Sequence, residues 1–140
     1  MFFCDVSKAF DKVWHKGLLF KLKLTRVNKQ LISWIESYLS DRQQKVVPEG
    51  FSSTLKGIKA GVPQGSILGP FLFLVYINDI VIDIKNDIRL FADDTSLFVV
   101  VEHDHAAAVT SLTDDLNVIS NWAKKWAVQY NPQKTKTYCI

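Results

Sequence analysis

The N-terminal part of the chain combines one short apolar run with two longer segments of helical period. Residues 1–6 are apolar except for Asp5, which is typical of a buried strand that ends at an acid. Residues 7–24 carry apolar side chains at helical spacing and predict one or two helices, interrupted near Gly17. Residues 28–39 repeat that spacing and predict a second amphipathic helix.

The middle of the chain is predicted to contain two strands, a loop and a long helix. Residues 41–48 and 53–58 favour strands around a turn at 48–50. Glycine, proline and serine dominate residues 61–69 and predict a loop. The apolar residues from 67 to 84 then predict a long helix.

Towards the C terminus, two apolar runs enclose an acidic pair. Residues 89–91 and 96–101 predict a β-hairpin with Asp93 and Asp94 at its turn. Residues 104–126 predict a helix with one apolar face. Two final strand candidates follow at 128–130 and 136–140. This order of elements predicts an α+β fold, with an antiparallel sheet packed on helices.

Composition indicates a globular chain. Hydrophobic residues make up 48% of the 140 residues and charged residues 22%, which suits one domain with an apolar core. No signal peptide is apparent, and no apolar run approaches the roughly 18 residues of a membrane span, so no membrane partner is predicted. The two cysteines, Cys4 and Cys139, are too few for a zinc site and are predicted to be buried free thiols in a reducing compartment.

Charge is distributed unevenly between the two halves. Residues 1–70 contain 11 Lys and Arg against 5 Asp and Glu, whereas residues 71–140 contain 6 against 9. A basic half beside an acidic half suits a nucleic-acid groove next to a metal site. Chance asymmetry on a solvated surface gives the same counts, so charge alone does not decide the function.

Three aspartates are the candidates for chemistry. The charges of Asp93 and Asp94 repel each other unless a cation is near, although a plain solvated turn is the alternative interpretation. Asp5 also ends an apolar strand, and aligned neighbouring strands would place it beside Asp93. Carboxylates from two strands suit Mg²⁺, and two such ions about 4 Å apart serve an in-line displacement at phosphorus.

The segment 61–70, GVPQGSILGP, lies directly at the start of the predicted long helix. Glycines let backbone approach a ligand closely, and a helix N terminus favours anions. The segment is not a P-loop, because no Gly-Lys-Ser/Thr follows. A structural turn before a core helix is the alternative interpretation.

Taken together, these segments resemble the motifs of non-LTR retrotransposon reverse transcriptases. Residues 5–15 (DVSKAFDKVWH) resemble motif A, residues 61–70 motif B, residues 91–94 (FADD) motif C and residues 131–136 (NPQKTK) motif D. Residues 37–42 and 76–79 also resemble this family, specifically its jockey and CR1 relatives. The motifs stand in the family's order, and the resemblance spans essentially the whole chain.

The resemblance implies a metal-binding and catalytic group in motifs A, C and D. Asp5 and Asp93 would be the metal-binding carboxylates, Asp94 the third acid, and the backbone carbonyl of Val6 would also face a metal. Mg²⁺ is the implied ion, with Mn²⁺ as an alternative. Lys134 would protonate the leaving pyrophosphate, and a surface lysine without that role is the other interpretation.

The resemblance also implies a substrate-binding group. Phe10 matches a steric gate that collides with a ribose 2′-hydroxyl and so favours deoxynucleotides, whereas packing of Phe10 into the core is the alternative. The residues expected to line the nucleotide and the template base are Pro63, Gln64, Gly65 and Ala92. Asp11, the second acid of motif A, is expected to cap or to form a salt bridge. The histidines, which lack the spacing of a metal set, are His15, His103 and His105.

The implied activity is RNA-directed DNA polymerisation, the transfer of a dNTP to a primer 3′-OH with release of pyrophosphate. The implied partners are an RNA template, a DNA primer and dNTPs, and the implied location is intracellular, in cytoplasm and nucleus. Residues 1–140 would form a polymerase palm with partial fingers, truncated at both ends, so that the N-terminal fingers and the C-terminal thumb are missing.

Three alternatives differ in their sequence requirements. A catalytically inactive retrotransposon remnant would fold or bind nucleic acid without polymerising. An RNA-dependent RNA polymerase would carry glycine in place of Ala92 and a small or polar residue in place of Phe10. A metal-dependent phosphohydrolase would leave the loop at 61–70 unexplained.

Overall fold

A computed structural model describes residues 1–101 and 104–138 of the chain. His103, Cys139 and the last two residues of the strand predicted at 136–140 lie outside the described residues. In chain order the elements are β1 (Phe2–Asp5), α1 (His15–Leu24), α2 (Lys29–Leu39), β2 (Gln43–Gln44), β3 (Lys56–Gly57), α3 (Leu68–Ile77), a 3₁₀ helix (Asn78–Val81), β4 (Asp87–Phe91), β5 (Asp94–Phe98), α4 (His105–Lys125) and β6 (Lys136–Thr137).

The described residues form two compact units. The first contains Met1–Ala9 and the described residues from Ile77 onward, and the second is Phe10–Tyr76. The first unit holds a four-stranded antiparallel sheet and α4, and the second holds α1, α2, most of α3 and the short β2–β3 ladder. The predicted α+β class is therefore confirmed. No helix in the described part of the chain is long and apolar enough to cross a membrane.

The sheet of the first unit has the strand order β4-β5-β1-β6. Successive side chains of β1 alternate between its two faces, so Cys4 lies on the face opposite to that of Asp5. Cys4 is buried and lines a cavity of about 500 Å³ together with Ile119 and Ala123 of α4. Burial raises the pKa of the Cys4 thiol to about 11, and the predicted buried free thiol is confirmed at this position. The helix thus covers one face, and Asp5 lies on the other.

Two aspartates fix helix α4. Asp104 is its N-cap residue, and the Asp104 carboxylate accepts the Ala106 N–H at 2.9 Å. Asp115 lies in the middle of the helix and is fully buried. Its carboxylate accepts the backbone N–H groups of Lys85 and Asn86, each at 2.9 Å. Because these two residues directly precede β4, Asp115 ties α4 to the start of the hairpin.

Helices α1 and α2 provide the apolar centre of the second unit. Their large buried apolar residues are Leu18, Leu19, Leu22, Ile32, Ile35 and Leu39. The predicted helix over 28–39 is confirmed as α2, and the Asn28 side chain caps it by accepting the Gln30 N–H at 2.8 Å.

Of the one or two helices predicted over 7–24, the structure has one, α1, which begins at His15 and is not interrupted at Gly17. Residues 7–12 form turns, because Lys8 has a φ of 53° that an α-helix does not tolerate. Gly17 lies inside α1, where a Cβ would stand 2.5 Å from Cε3 of Trp14. The glycine therefore allows the indole ring to pack on the helix and does not end it.

The long helix predicted over 67–84 ends early. It stops as α3 at Ile77 and continues as the 3₁₀ helix. The Asp79 carboxylate accepts the indole N–H of Trp122 at 2.9 Å, which ties the 3₁₀ helix to α4. Asp83 then has a φ of 67°, which no α-helix continues through.

The predicted strands outside the hairpin are also shorter than expected. The strands predicted at 41–48 and 53–58 reduce to β2 and β3, which have two residues each. The strand predicted at 128–130 is a single bridge between Tyr130 and Val6. Short apolar or mixed runs do not indicate where a ladder stops, because pairing depends on the partner strand.

Candidate functional site

The hairpin of β4 and β5 places only one acid of the predicted pair, Asp93, in its two-residue turn, and Asp94 is the first residue of β5. Phe91 pairs with Asp94 at the end of the ladder, so Ala92 and Asp93 form the turn itself. Ala92 has a φ of 51°, and this left-handed conformation costs a non-glycine residue about 1–2 kcal/mol. A two-residue hairpin turn requires a positive φ, so this conformation follows from the chain reversal itself.

The register between β1 and β5 differs from the prediction in the acid that faces Asp5. Asp94, and not Asp93, lies opposite Asp5 in the ladder. Asp93 reaches the same strand through its backbone carbonyl, which accepts the Val6 N–H at 3.3 Å. Opposed residues of antiparallel strands share a face, where like charges repel. Asp5 and Asp94 therefore produce a local negative charge that favours a cation.

Lys134 provides a cation at this position. Its Nζ lies 3.3 Å from Oδ1 and 3.3 Å from Oδ2 of Asp5. The Asp5 side chain is only 17% exposed, whereas that of Lys134 is 63% exposed, so the lysine approaches the acid from the solvent side. The structure thus brings Lys134 to Asp5, one of the predicted acids. Its role as a proton donor stays a prediction.

A tight turn at Asn131 holds Lys134 in place. The Asn131 N–H donates to the Asp5 carbonyl at 2.8 Å, which ties the turn to the end of β1. The Asn131 side chain accepts the Gln133 N–H at 3.0 Å, and its backbone carbonyl accepts the Lys134 N–H at 3.2 Å. Sequence reasoning missed this role of Asn131. The Asn-Pro dipeptide, which favours turn initiation, was the available signal.

The donor chemistry of the acids fits a hard divalent cation. Carboxylate oxygens are the ligands that Mg²⁺ prefers, and Asp5 and Asp94 share one face of the sheet. Within residues 1–101 and 104–138, however, no three His, Cys, Asp or Glu side chains stand close enough together to hold a metal ion. The Asp5 carboxylate is instead directed at Lys134. The predicted metal ligands Asp5, Val6, Asp93 and Asp94 therefore stay predictions.

In the second unit, the segment that follows Phe10 pairs with the glycine-rich loop. The Val62 N–H donates to the Phe10 carbonyl and the Gly61 N–H to the Val13 carbonyl, each at 2.8 Å. Nε2 of His15 lies 2.7 Å from the Gly61 carbonyl oxygen, so the His15 ring hydrogen-bonds the loop. These three contacts fix the start of the loop.

The tip of the loop carries Gln64. Its Nε2 donates to Oδ1 of Asp11 at 2.8 Å, so Asp11 pairs with an amide rather than with a helix end or a cation. Gly65 has a φ of 78°, and the Ser66 hydroxyl donates to the Pro63 carbonyl at 2.8 Å. The predicted substrate-binding residues Pro63, Gln64 and Gly65 therefore form one hydrogen-bonded turn before α3.

Phe10 is half-buried, and its ring centroid lies 5.0 Å from that of Phe73 in α3. This contact orients the Phe10 ring, and it agrees with both interpretations of the residue, the steric gate and core packing. The gate role of Phe10 stays a prediction.

The predicted site residues fall into two groups. The first unit brings together, around the hairpin turn, Asp5, Val6, Ala92, Asp93, Asp94 and Lys134. The second unit brings together, around the loop, Phe10, Pro63, Gln64 and Gly65. His105 is the exposed first residue of α4 and belongs to neither group.

Comparison with known proteins identifies the relatives of the chain. Residues 1–139 match the family model described as reverse transcriptase (RNA-dependent DNA polymerase). The RNA-directed DNA polymerase from mobile element jockey of Drosophila melanogaster is 37% identical over 94% of this chain and 15% of its own length. The probable RNA-directed DNA polymerase from transposon X-element, of the same organism, is 34% identical over 99% of this chain and 16% of its own length. The chain thus spans less than one sixth of the length of these relatives.

Proposed function

The chain belongs to the reverse transcriptase (RNA-dependent DNA polymerase) family, and from this premise we propose that it carries the polymerising centre of an RNA-directed DNA polymerase. The reaction joins a dNTP to the 3′-OH of a primer and releases pyrophosphate. The observation that carries the proposal is the opposition of Asp5 and Asp94 on neighbouring strands, beside the hairpin turn that holds Asp93. Two opposed acids favour a cation between or beside them, and carboxylate oxygens are the ligands that Mg²⁺ prefers.

The family depends on divalent metal ions, and Mg²⁺ is the ion that we propose here, with Mn²⁺ as a substitute. The residues that would hold it are Asp5, Asp93, Asp94 and the backbone carbonyl of Val6. When bound, the ions lower the pKa of the attacking hydroxyl and stabilise the leaving pyrophosphate. Of these residues, Asp5 and Asp94 stand opposite each other in the β1–β5 ladder, and Asp93 lies in the adjoining turn. Binding of the ion would therefore require the Asp5 carboxylate to exchange its contact with Lys134 for one with the metal.

We assign proton transfer to Lys134. Its Nζ is held beside Asp5 by the Asn131 turn, and an ammonium group close to the acids can donate a proton to a departing pyrophosphate oxygen. The partners in this proposal are an RNA template and a DNA primer, bound mainly through phosphates and therefore in a salt-sensitive manner. The proposed location of the protein is intracellular, in the cytoplasm and the nucleus.

Primer extension tests the function. We expect the protein to add deoxynucleotides to a DNA primer annealed to RNA when Mg²⁺ is present, and to add none when EDTA replaces the ion. The products are resolved on a denaturing gel. Binding of RNA without any extension, by protein that melts cooperatively, would identify an inactive remnant and would contradict the proposal.

Phe10→Ala is expected to weaken the preference for deoxynucleotides over ribonucleotides by about 10–100-fold, because the steric barrier to a 2′-hydroxyl is removed. The measurement compares kcat/KM for a dNTP and the matching NTP in the wild type and the variant. Phe51→Ala is the control, since Phe51 is an exposed phenylalanine of the same unit at 80% exposure. An unchanged preference in folded Phe10→Ala protein would leave only core packing as the role of this ring.

A further inference from the structure

Asp11 is an acid of the first motif that the proposed chemistry does not use. It lies one residue after Phe10, and its Oδ1 accepts a hydrogen bond from Gln64 Nε2 at 2.8 Å. Both side chains are exposed, and a hydrogen bond between two mobile exposed side chains contributes little, because ordering them costs entropy. The hydrogen bond between Asp11 and Gln64 can be stable only if the backbone already fixes the positions of the two residues.

The backbone does hold them. The Val62 N–H bonds to the Phe10 carbonyl, and the Gly61 N–H bonds to the Val13 carbonyl. At Gly61, where φ is 91°, an added Cβ would lie 2.7 Å from the backbone oxygen of Asp11, so the two segments are in close contact. The positions from which Asp11 and Gln64 extend are therefore fixed, and much of the ordering cost is met before the side chains meet.

The chemistry of the pair sets the direction of the Gln64 amide. A glutamine side chain can present either its NH₂ or its carbonyl oxygen to a neighbour, and the two ends have nearly the same shape. The Asp11 carboxylate only accepts hydrogen bonds, so it selects the NH₂ end. The carbonyl Oε1 of Gln64 is thereby directed away from Asp11, as an acceptor at the tip of the loop.

We propose that Asp11 is a positioning residue that locks the Gln64 amide so that the loop presents an acceptor to a hydrogen-bond donor on the incoming nucleotide or the template base. The inference rests on the proposed function, in which Gln64 lines the nucleotide. Asp11 itself touches neither the substrate nor the reacting atoms. Asp11 therefore affects the affinity for the correct nucleotide. Without it, the Gln64 amide would rotate and would present its NH₂ group, a donor, for part of the time.

Steady-state kinetics of primer extension by the full chain provide the main test. We expect Asp11→Ala to raise KM for the dNTP by about 5–10-fold and to leave kcat within about twofold, because a ground-state contact is lost. Asp11→Asn should recover part of the loss, since its carbonyl can still accept from Gln64 but no longer excludes the reversed amide. Glu49→Ala, which removes an exposed acid of the same unit, should match the wild type.

A double-mutant comparison separates positioning from a general structural role. If Asp11 acts through Gln64, then Asp11→Ala combined with Gln64→Ala should raise KM no further than Gln64→Ala alone. Additive effects would overturn the proposal. So would an Asp11→Ala variant that is indistinguishable from the wild type, or one that loses kcat and thermal stability together with no specific change in KM.

A second readout does not require activity. In ¹⁵N NMR spectra, the side-chain NH₂ of Gln64 should exchange with solvent several-fold more slowly than that of the exposed Gln44, and Asp11→Ala should remove the difference. If the side-chain amides of Gln64 and Gln44 exchanged at equal rates in the wild type, the proposal would be overturned regardless of the steady-state kinetics. A protein that shows the slow exchange but extends no primer would instead retain the lock and contradict the proposed function.

Discussion

Asp93→Ala is expected to lower primer extension by at least about 10³-fold, which corresponds to about 4 kcal/mol of transition-state stabilisation. The reason is electrostatic. Asp93 lies at the turn of the hairpin, where its backbone carbonyl accepts the Val6 N–H. Its neighbour Asp94 lies opposite Asp5, so the Asp93 carboxylate would complete the proposed set of metal ligands. Without it, the charge that develops on the attacking and leaving oxygens is poorly neutralised.

The same substitution should leave the fold intact. The hydrogen bond that Asp93 makes to Val6 uses its backbone carbonyl, which alanine retains, so the free energy of unfolding should change by no more than about 0.5 kcal/mol. Asp87→Ala removes an exposed acid from β4 of the same hairpin and serves as the matched control with full activity. If Asp93→Ala kept more than a tenth of the wild-type rate, Asp93 could not be a metal ligand of the reaction.

A second consequence concerns the metal directly. An ion that binds the folded protein raises its stability with concentration, so titration with Mg²⁺ should raise the Tm of the wild type. Asp93→Ala should show a smaller rise at equal Mg²⁺, because one charged ligand is missing. This comparison does not depend on nucleic acid, and it separates loss of metal from loss of template binding.

The acids of the site could be predicted from the sequence, whereas their pairing could not. An acid at the end of an apolar strand and two acids near a hairpin turn are visible as patterns. The first is confirmed as Asp5, and of the second pair Asp93 lies in the turn whereas Asp94 begins β5. Which acid faces Asp5 depends on the register of two strands that are distant in sequence. Register is set by packing on both faces, and a shift of one residue exchanges Asp93 for Asp94.

The contact between Lys134 and Asp5 illustrates a similar limit. The resemblance to motif D marked Lys134 as a candidate, but its 3.3 Å distance from Asp5 depends on the Asn131 turn and on the hydrogen bond from that turn to β1. Contacts between residues separated by more than a hundred positions have no local sequence signal. Such contacts can be predicted only when the order of the strands in the sheet is known.

Asp115 was missed for a different reason. It stands within the apolar face of α4, three positions after Leu112 and four before Ile119, which is where a core residue is expected. A polar residue at such a position indicates a buried partner, and this signal was present in the sequence. Its partners, the N–H groups of Lys85 and Asn86, could not be named, because backbone groups look alike in a sequence.

Asp115→Ala is expected to lower the free energy of unfolding by about 3–5 kcal/mol. The substitution removes three hydrogen bonds to a fully buried carboxylate and leaves two backbone N–H groups without their acceptor. Urea denaturation provides the measurement. Asp114→Ala is the matched control, because Asp114 is the adjacent, half-exposed acid whose ion pair with Lys85 is solvated and should cost no more than about 1 kcal/mol. Equal losses in the two variants would contradict an anchoring role for Asp115.

The dependence of this loss on pH follows from the ionisation of Asp115. Burial disfavours the charged form, but the hydrogen bonds from Lys85 and Asn86, together with the positive charge of Lys85, outweigh it and lower the pKa of the Asp115 carboxyl below its usual 3.8. A lowered pKa in the folded state contributes stability that is complete above the unfolded value of about 3.9 and is lost as pH falls through the folded value. The pH dependence is measured against a second variant, Asp115→Asn, whose side chain does not ionise. The difference in free energy of unfolding between the wild type and Asp115→Asn should be constant from about pH 7 to pH 5 and should narrow below about pH 4. Because only an ionised and hydrogen-bonded carboxylate produces this narrowing, a gap that stayed constant in acid would show that the charge of Asp115 does not hold α4 to the hairpin.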